Sequence, residues 1–357
     1  WGRVLHDCSL RQCKIRLSWI FVDYVLFFLH IMRIAIIGAG IAGLTAAKML
    51  RDFADIAVFE KSRGAGGRMC TRYAKAFNFD HGAQFFTAKT PQFKEFIKPL
   101  IKNGVIASWN ARFVELKNSE ILNRWQWGED YLHYVGTPTM SEIGRYLAKD
   151  LDLHLNTEVT INKNGEHWNI KDSKGNDLGD FDWIISTAPA FQSAKLFPDY
   201  FQYHASLKQR KMLACYSLML GFDKDIDLDW DAALVSETDV SWISVNSSKP
   251  GRKDNYSLLV HSTNTWAENH LNDENHKVIT HLSNETSNII NRDISNAVHI
   301  DLHRWRYANI AKLEKSEPLI DAKNKMAACG DWCIKGRVEA AFRSGFDLAN
   351  GMRHLIN

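Results

Sequence analysis

The chain has 357 residues, 45% of them hydrophobic and 24% charged, with a net charge of +3. That is the make-up of a folded globular protein with room for one large domain or two. It excludes the strong positive field expected of a nucleic-acid or anionic-membrane binder. Twelve tryptophans are many for this length, and most fall in the middle of the chain, where they imply an aromatic-rich core or pocket.

Residues 1–31 stand outside the pattern of the rest. Arg3, Arg11, Lys14 and Arg16 precede an apolar run from Leu17 to Ile31 that Asp23 interrupts. The run is about 15 residues, short of the roughly 20 of a spanning helix, and no small-x-small cleavage site follows it. It reads as translation from upstream of a start at Met32, with an amphipathic anchor or a cleaved signal as the alternatives.

Ile34 to Ile37 reads as a strand buried on both faces. Gly38, Gly40 and Gly43 then turn the chain into a helix from Leu44 to Leu50. In such a turn the first glycine makes the bend, the second lets the backbone approach a pyrophosphate, and the third lets helix and strand pack closely. The helix N-terminus, with Ala42 in its turn, offers free N–H groups and a positive dipole to the phosphates. A second strand, Ile56 to Phe59, ends in Glu60, whose carboxylate can accept from a ribose hydroxyl. The combination predicts a dinucleotide site without choosing between NAD and FAD.

A helix follows from Pro91 to Lys102. Arg124 to Trp127 and Tyr131 to Tyr134 alternate as a sheet face does. Thr139-Met-Ser-Glu142 is a capping box opening a helix through Lys149. Residues 151–187 read as a meander turning at Asn164-Gly165 and Lys174-Gly175, ending in the strand Trp183 to Ser186. Further strands run over Ala214 to Phe222 and Tyr256 to His261, and a helix with a solvated polar face runs from Ala267 to Asn291. Met326 to Cys329 is the last strand and Val338 to Ile356 the closing helix. There is no repeat and no low-complexity linker.

Six cysteines form no disulfide framework: Cys8 and Cys13 lie in the extension, and Cys329 and Cys333 flank Gly-Asp-Trp. This usage points to a reducing cytoplasm. No metal site is expected.

The segment after Glu60 decides the cofactor. Lys61-Ser-Arg-Gly-Ala-Gly-Gly-Arg68 is a glycine loop ending in a cation able to meet a second phosphate. It resembles the signature of the FAD-dependent amine-oxidase superfamily. Thr157-Glu158-Val159, Asp182 to Pro189, and Gly330-Asp331 with Gly336 to Ala341 resemble its adenine-side strand, its flavin-flanking turn and its C-terminal flavin motif. The resemblance covers nearly all of residues 32–357. It implies an α/β fold: a Rossmann-type FAD-binding domain of the glutathione-reductase-like, amine-oxidase subgroup, with an inserted α+β substrate domain. The FAD-binding domain would be discontinuous, over 32–88, 138–190 and 324–357, and the substrate domain would take 89–137 and 191–323. It also implies non-covalent FAD held by Gly38, Gly40, Ala42, Gly43, Glu60, Lys61, Gly67, Arg68, Gln84, Phe85, Val159, Gly330, Asp331, Val338 and Glu339.

Phe79-Asp80-His81-Gly82-Ala83-Gln84-Phe85-Phe86, Tyr134 to Met140, Leu259 to Thr263 with Trp266, and His303 to Ala308 are similar to segments of the bacterial renalase-like branch. That resemblance implies an oxidase returning 2- or 6-dihydro isomers of NAD(P)H to NAD(P)+, with oxygen reduced to hydrogen peroxide. His261 would be its catalytic-side residue, orienting the substrate carboxamide, and Arg304, Arg306 and Trp266 would meet the substrate. An amine oxidase or desaturase acting on an amine, porphyrin or isoprenoid is the alternative. A non-catalytic binding protein on this fold is a third reading, disfavoured by the intact Arg68, Gly330 and Asp331. The expected partners are a small-molecule substrate and oxygen, with no nucleic acid and no membrane; the oligomeric state is left open.

Overall fold

Apolar runs too short for helices build the first sheet, of six strands. Their order is Leu319–Asp321, Met326–Ala328, Trp183–Ser186, Arg33–Ile37, Asp55–Phe59 and Asp152–His154. All neighbours pair in parallel except the first two. Arg33–Ile37 lies in the centre because its inner residues, Ile34 to Ile36, are apolar on both faces and fully buried. The structure, a computed structural model, describes residues 31–252, 255–311 and 317–356. Apart from Ile31, the N-terminal extension lies outside the described residues. Among those described, no helix is long and apolar enough to cross a membrane.

The helix Ile41–Leu50 follows the central strand and packs on the closing helix Val338–Ile356. It begins three residues earlier than the sequence predicts. Gly43 is therefore inside its first turn, where a Cβ would run into the carbonyl of Gly38 and lie 2.7 Å from Thr187 Oγ1. The helix Pro91–Lys102 forms as predicted, capped by Thr90, whose hydroxyl accepts from Phe93 N. Its Phe93 and Phe96 pack, with rings tilted, on Phe342 of the closing helix.

The second sheet has seven strands, in the order His299–Asn309, Leu213–Gly221, Ser257–Ser262, Val240–Val245, Ala232–Ser236, Arg112–Lys117 and Glu120–Gln126. Its two faces differ. Leu258 and Val260 pack with Val278, Leu282 and Ile289 of the helix Asn275–Ile290. The alternate position His261, with Trp242 opposite it, faces the cavity described below. A separate antiparallel meander, Val159–Asn164, His167–Asp172 and Asp177–Phe181, turns at Gly165 and Gly175, both with positive φ.

Three local expectations change. The helix predicted over Ala267 to Asn291 is two helices, Asn264–Asn269 and Asn275–Ile290, because the intervening residues carry no apolar stripe to bury. Tyr131 closes a 3₁₀ turn, Glu129–Tyr131, and the short strand there is Tyr134–Gly136, pairing with Ile106–Ser108. The capping box is not made. The helix is Ser141–Ala148, Met140 sits at its cap in helical conformation, and the Thr139 hydroxyl meets Tyr73 OH at 3.0 Å and the Glu142 side chain at 3.4 Å rather than a helix N–H.

The closing helix crosses the first helix at Gly345, where a Cβ would be driven into the backbone of Ala42. Gly345→Ala is expected to destabilise the protein by about 1–3 kcal/mol, read as a lower thermal midpoint.

Candidate functional site

A continuous cavity of about 3060 Å³ runs from the first sheet's glycine turn to the cavity-facing side of the second sheet. A single small ligand needs roughly 300–1,000 Å³, so there is room for a dinucleotide and a second molecule. The glycine turn forms one end. Gly38 has φ +110°, a region L side chains rarely adopt, and a Cβ there would meet Thr187 Oγ1 at 2.7 Å. Gly40 has ordinary extended backbone and nothing within 4 Å of where a Cβ would be. Its role is therefore space beside the bare helix N-terminus, which has no side-chain cap. A cradle that a Cβ would fill, open at a helix N-terminus, fits a pyrophosphate.

Glu60 is buried, and its two carboxylate oxygens accept from Ala39 N and Ser62 N, both at 2.8 Å. Each oxygen keeps a lone pair for a ribose hydroxyl. Gly67, with φ +57°, would place a Cβ 3.3 Å from Gly40 Cα, so the second glycine loop lies directly against the first. Lys61 donates to Gln192 Oε1 at 3.1 Å. Arg68 and Asp331, 263 residues apart in sequence, form a two-point pair at 2.9 and 2.5 Å, and Arg68 also donates to Ala308 O at 2.9 Å. Two residues expected to meet different parts of a cofactor thus hold each other at the cavity wall. Val159, Gly330 and Val338 line the same space. Glu339 lines it too, but its carboxylate accepts from Lys89 N, Thr90 N and Thr90 Oγ1, tying the cap of the Pro91–Lys102 helix to the closing helix.

The other end is aromatic. Phe85 contacts Trp127, His133 and Trp242, with centroids 4.8, 5.0 and 5.6 Å away. Trp127 and His133 stack at 3.7 Å. Burial pushes the imidazoles of His133 and His261 down to about 4, so both are neutral at ordinary pH. His261 Nε2, His133 Nδ1 and Trp242 Nε1 are buried without a partner. Close by, His81, His303 and Trp305 pack ring to ring, and His81 is pushed down to about 3 by burial and by the neighbouring His303 and Arg72. Cys70 lies 3.6 Å from His81, but burial raises its thiol to about 12, leaving it a poor nucleophile.

Gln84 lines the cavity with its amide fully engaged. Its Nε2 donates to Asp80 O and Gly82 O at 2.5 and 3.0 Å, and its Oε1 accepts from Ser244 Oγ and Lys249 Nζ, both at 3.0 Å. It buttresses the turn that carries Phe85.

Of the substrate candidates, Arg306 lines the cavity and two others stand apart from it. Arg304 donates to Asp273 O at 2.7 Å and Asn275 Oδ1 at 3.1 Å, on the helix side of the sheet. Trp266 is buried there, stacked on His270 and His281. Both precede a change of strand face or a helix turn that periodicity alone places ambiguously. Trp127 and Trp242 are among the tryptophans from which an aromatic-rich core or pocket is expected, whereas nothing in the sequence singled out His133 or the buried Asp80–Lys249–Arg252 group. Lys249-Pro-Gly-Arg252, two cations about a turn, was the available signal, but nothing in it announces burial. Cys329 and Cys333 are buried in the core, away from the cavity lining. No group of His, Cys, Asp and Glu among the described residues is gathered to hold a metal ion.

Comparison with known proteins agrees with this geometry. The family model described as NAD(P)-binding Rossmann-like domain matches residues 36–100, and the one described as flavin containing amine oxidoreductase matches residues 103–352. Among solved structures, reduced UDP-galactopyranose mutase is similar at TM-score 0.71, 12% identity, covering 91% of this chain and 94% of that one. A protein from Exiguobacterium sp. 255-15 assigned as a protoporphyrinogen oxidase matches at 0.68 and 12%, covering 90% and 99%. Wild-type putrescine oxidase bound to putrescine matches at 0.66 and 12%, also covering 90% and 99%. At such identity these structures share the fold.

Two outcomes follow from the geometry. Gly40→Val, with open space at its Cβ, is expected to fold but to lose the dinucleotide, read as a near-normal thermal midpoint with little extractable FAD. His81, His133, His261 and His303 stay neutral in the folded state down to about pH 3–4, whereas in the unfolded chain they bind protons near pH 6.5. Their effect on stability is therefore absent above about pH 6.5, and stability falls as pH drops from there toward 4. Thermal midpoints measured between pH 7.5 and 5 are expected to decrease.

Proposed function

This chain belongs to the flavin-containing amine oxidoreductase family and is an FAD-dependent oxidoreductase; on that premise we propose that its substrate is a 2- or 6-dihydro isomer of NAD(P)H, oxidised to NAD(P)+ while oxygen and a proton become hydrogen peroxide. FAD, when bound, supplies the two-electron acceptor. Gly40, Glu60 and the Arg68–Asp331 pair are the residues that would hold it. The chain's own part is to bind the substrate, orient it and exclude water.

The observation that carries the proposal is the charge of the cavity. Lysines and arginines among its lining residues outnumber aspartates and glutamates by more than two to one. Of the lining acids other than Glu158, Glu60 and Glu339 hold backbone amides, Glu142 pairs with Arg145, and Asp331 pairs with Arg68. Beside the aromatic wall, the histidines are neutral. This balance suits two anionic dinucleotides and an uncharged reacting ring stacked between aromatic side chains. The excess of lining cations disfavours a cationic amine by like-charge repulsion. That His261 lines the cavity, is neutral and has an unpartnered Nε2 supports a role in hydrogen-bonding a ring carboxamide rather than in carrying a proton.

A carboxylated tetrapyrrole is the second reading, because the same positive cavity favours it and one similar structure is assigned as a protoporphyrinogen oxidase.

Anaerobic mixing of the FAD-loaded protein with dihydro-NAD isomers is the test. Rapid flavin bleaching by the 2- or 6-isomer is expected. No bleaching, in a protein that dithionite still reduces, overturns the reading, and bleaching by protoporphyrinogen instead selects the second. His261→Ala is expected to weaken substrate binding by about 2- to 10-fold, the worth of one neutral hydrogen bond, with little change in FAD content.

A further inference from the structure

One charged group in the core is unbalanced. Asp80, Lys249 and Arg252 have side chains at most 1% exposed. Arg252 pairs with Asp80 through Nη2 and, at 3.2 Å, through Nε, and it also donates to Gly136 O and Pro250 O. Asp80 is further satisfied by Thr71 Oγ1 at 2.7 Å and Met140 N at 3.2 Å. The Arg252–Asp80 pair is therefore complete without a second cation. Yet Lys249 Nζ is there, 3.4 Å from Asp80 Oδ2, 3.0 Å from Gln84 Oε1 and 3.1 Å from Asn246 Oδ1, above the face of Trp109. Two buried cations face one buried anion. An uncompensated charge is among the costliest things a core can hold, and this one lies a single hydrogen bond behind the cavity wall at Gln84.

We infer that the ammonium of Lys249 acts through Gln84 on whatever is lodged against that wall, favouring negative charge as it forms there. The inference rests on the reading that the wall of Gln84 and Phe85 faces the ring that accepts the hydride. A hydride brings two electrons and one proton to that ring, leaving it one negative charge richer. Burial lowers the Lys249 ammonium to about 8, so below that pH it carries its charge, and with little water to shield it the field reaches the cavity weakly screened. Lys249 is thus a positioning residue twice over: it holds the Gln84 amide in one orientation, and it biases the electron balance of the site. Nearby, His261, His81 and Cys70 are neutral, and Arg72 and Arg63 are cations, so none of them offsets it.

The test is the midpoint potential of bound FAD, measured against a reference dye with no substrate present, in the wild type, Lys249→Met and Lys249→Arg. Lys249→Met leaves the complete Asp80–Arg252 pair and removes the excess charge. Its potential is expected to shift to more negative values, while Lys249→Arg stays near the wild type. If the Met variant does not hold FAD, Lys249→Gln, which keeps a donor for Gln84 without the charge, replaces it with the same expectation. An unchanged potential in the uncharged variant, or an equal fall in the Arg variant, overturns the inference. Because no substrate enters the measurement, its failure leaves the dihydronicotinamide reading standing, and failure of the substrate assay leaves this result unaffected.

Discussion

The close approach of the glycine turn to its neighbours is the constraint on which the remaining structure depends. Gly38 and Gly43 are pressed against Thr187 and one another, Gly67 against Gly40, and Gly345 against Ala42. A Cβ at Gly38, Gly43 or Gly345 would collide and one at Gly67 would be tight, and together these contacts bring strand, helix, second loop and closing helix to a single point. Only there can backbone N–H groups, rather than side chains, meet a phosphate. The first helix is short and its N-terminus bare because any cap would occupy the space a ligand needs.

From that point the electrostatics of the molecule divide in two. Around the turn, charges are exposed to the cavity and paired across long stretches of chain, as Arg68 is with Asp331. Behind the aromatic wall, charges are sealed from water and hold the second sheet to the segments around Asp80 and Met140. The wall between them is uncharged because burial keeps its histidines neutral. Such a wall lets an apolar ring enter without stripping a charge of its water, while the cationic surroundings attract the anionic remainder of a dinucleotide.

One face of Ser257–Ser262 packs on a helix, while on the other Leu259 packs on Phe77 and Phe79 and His261, near the strand's end, reaches the cavity. Leu258 and Val260 need the helix Asn275–Ile290, and His261 points the other way by the period-2 rule. The same rule, broken by the register shift between Leu213 and Cys215 opposite Trp305, separates Arg304 from Arg306. One guanidinium joins the helix layer, and the other residue joins the cavity lining.

The chain alone determined the parts whose physics is local. Gly38, Gly40, Gly43, Glu60 and the apolar run before them specify a dinucleotide turn through steric and hydrogen-bond requirements that act within thirty residues. The helices Pro91–Lys102 and Val338–Ile356 were legible in the sequence with the bounds they have in the structure. Tertiary structure decided everything that required two distant segments to meet: the Arg68–Asp331 pair, the engagement of Glu339 by Thr90, the stack of Trp127 on His133, and the burial of Lys249 beside Asp80. A sequence shows that a residue can carry charge or stack. Whether water or another chain segment surrounds it depends on packing, and packing sets its pKa, its partners and so its chemistry.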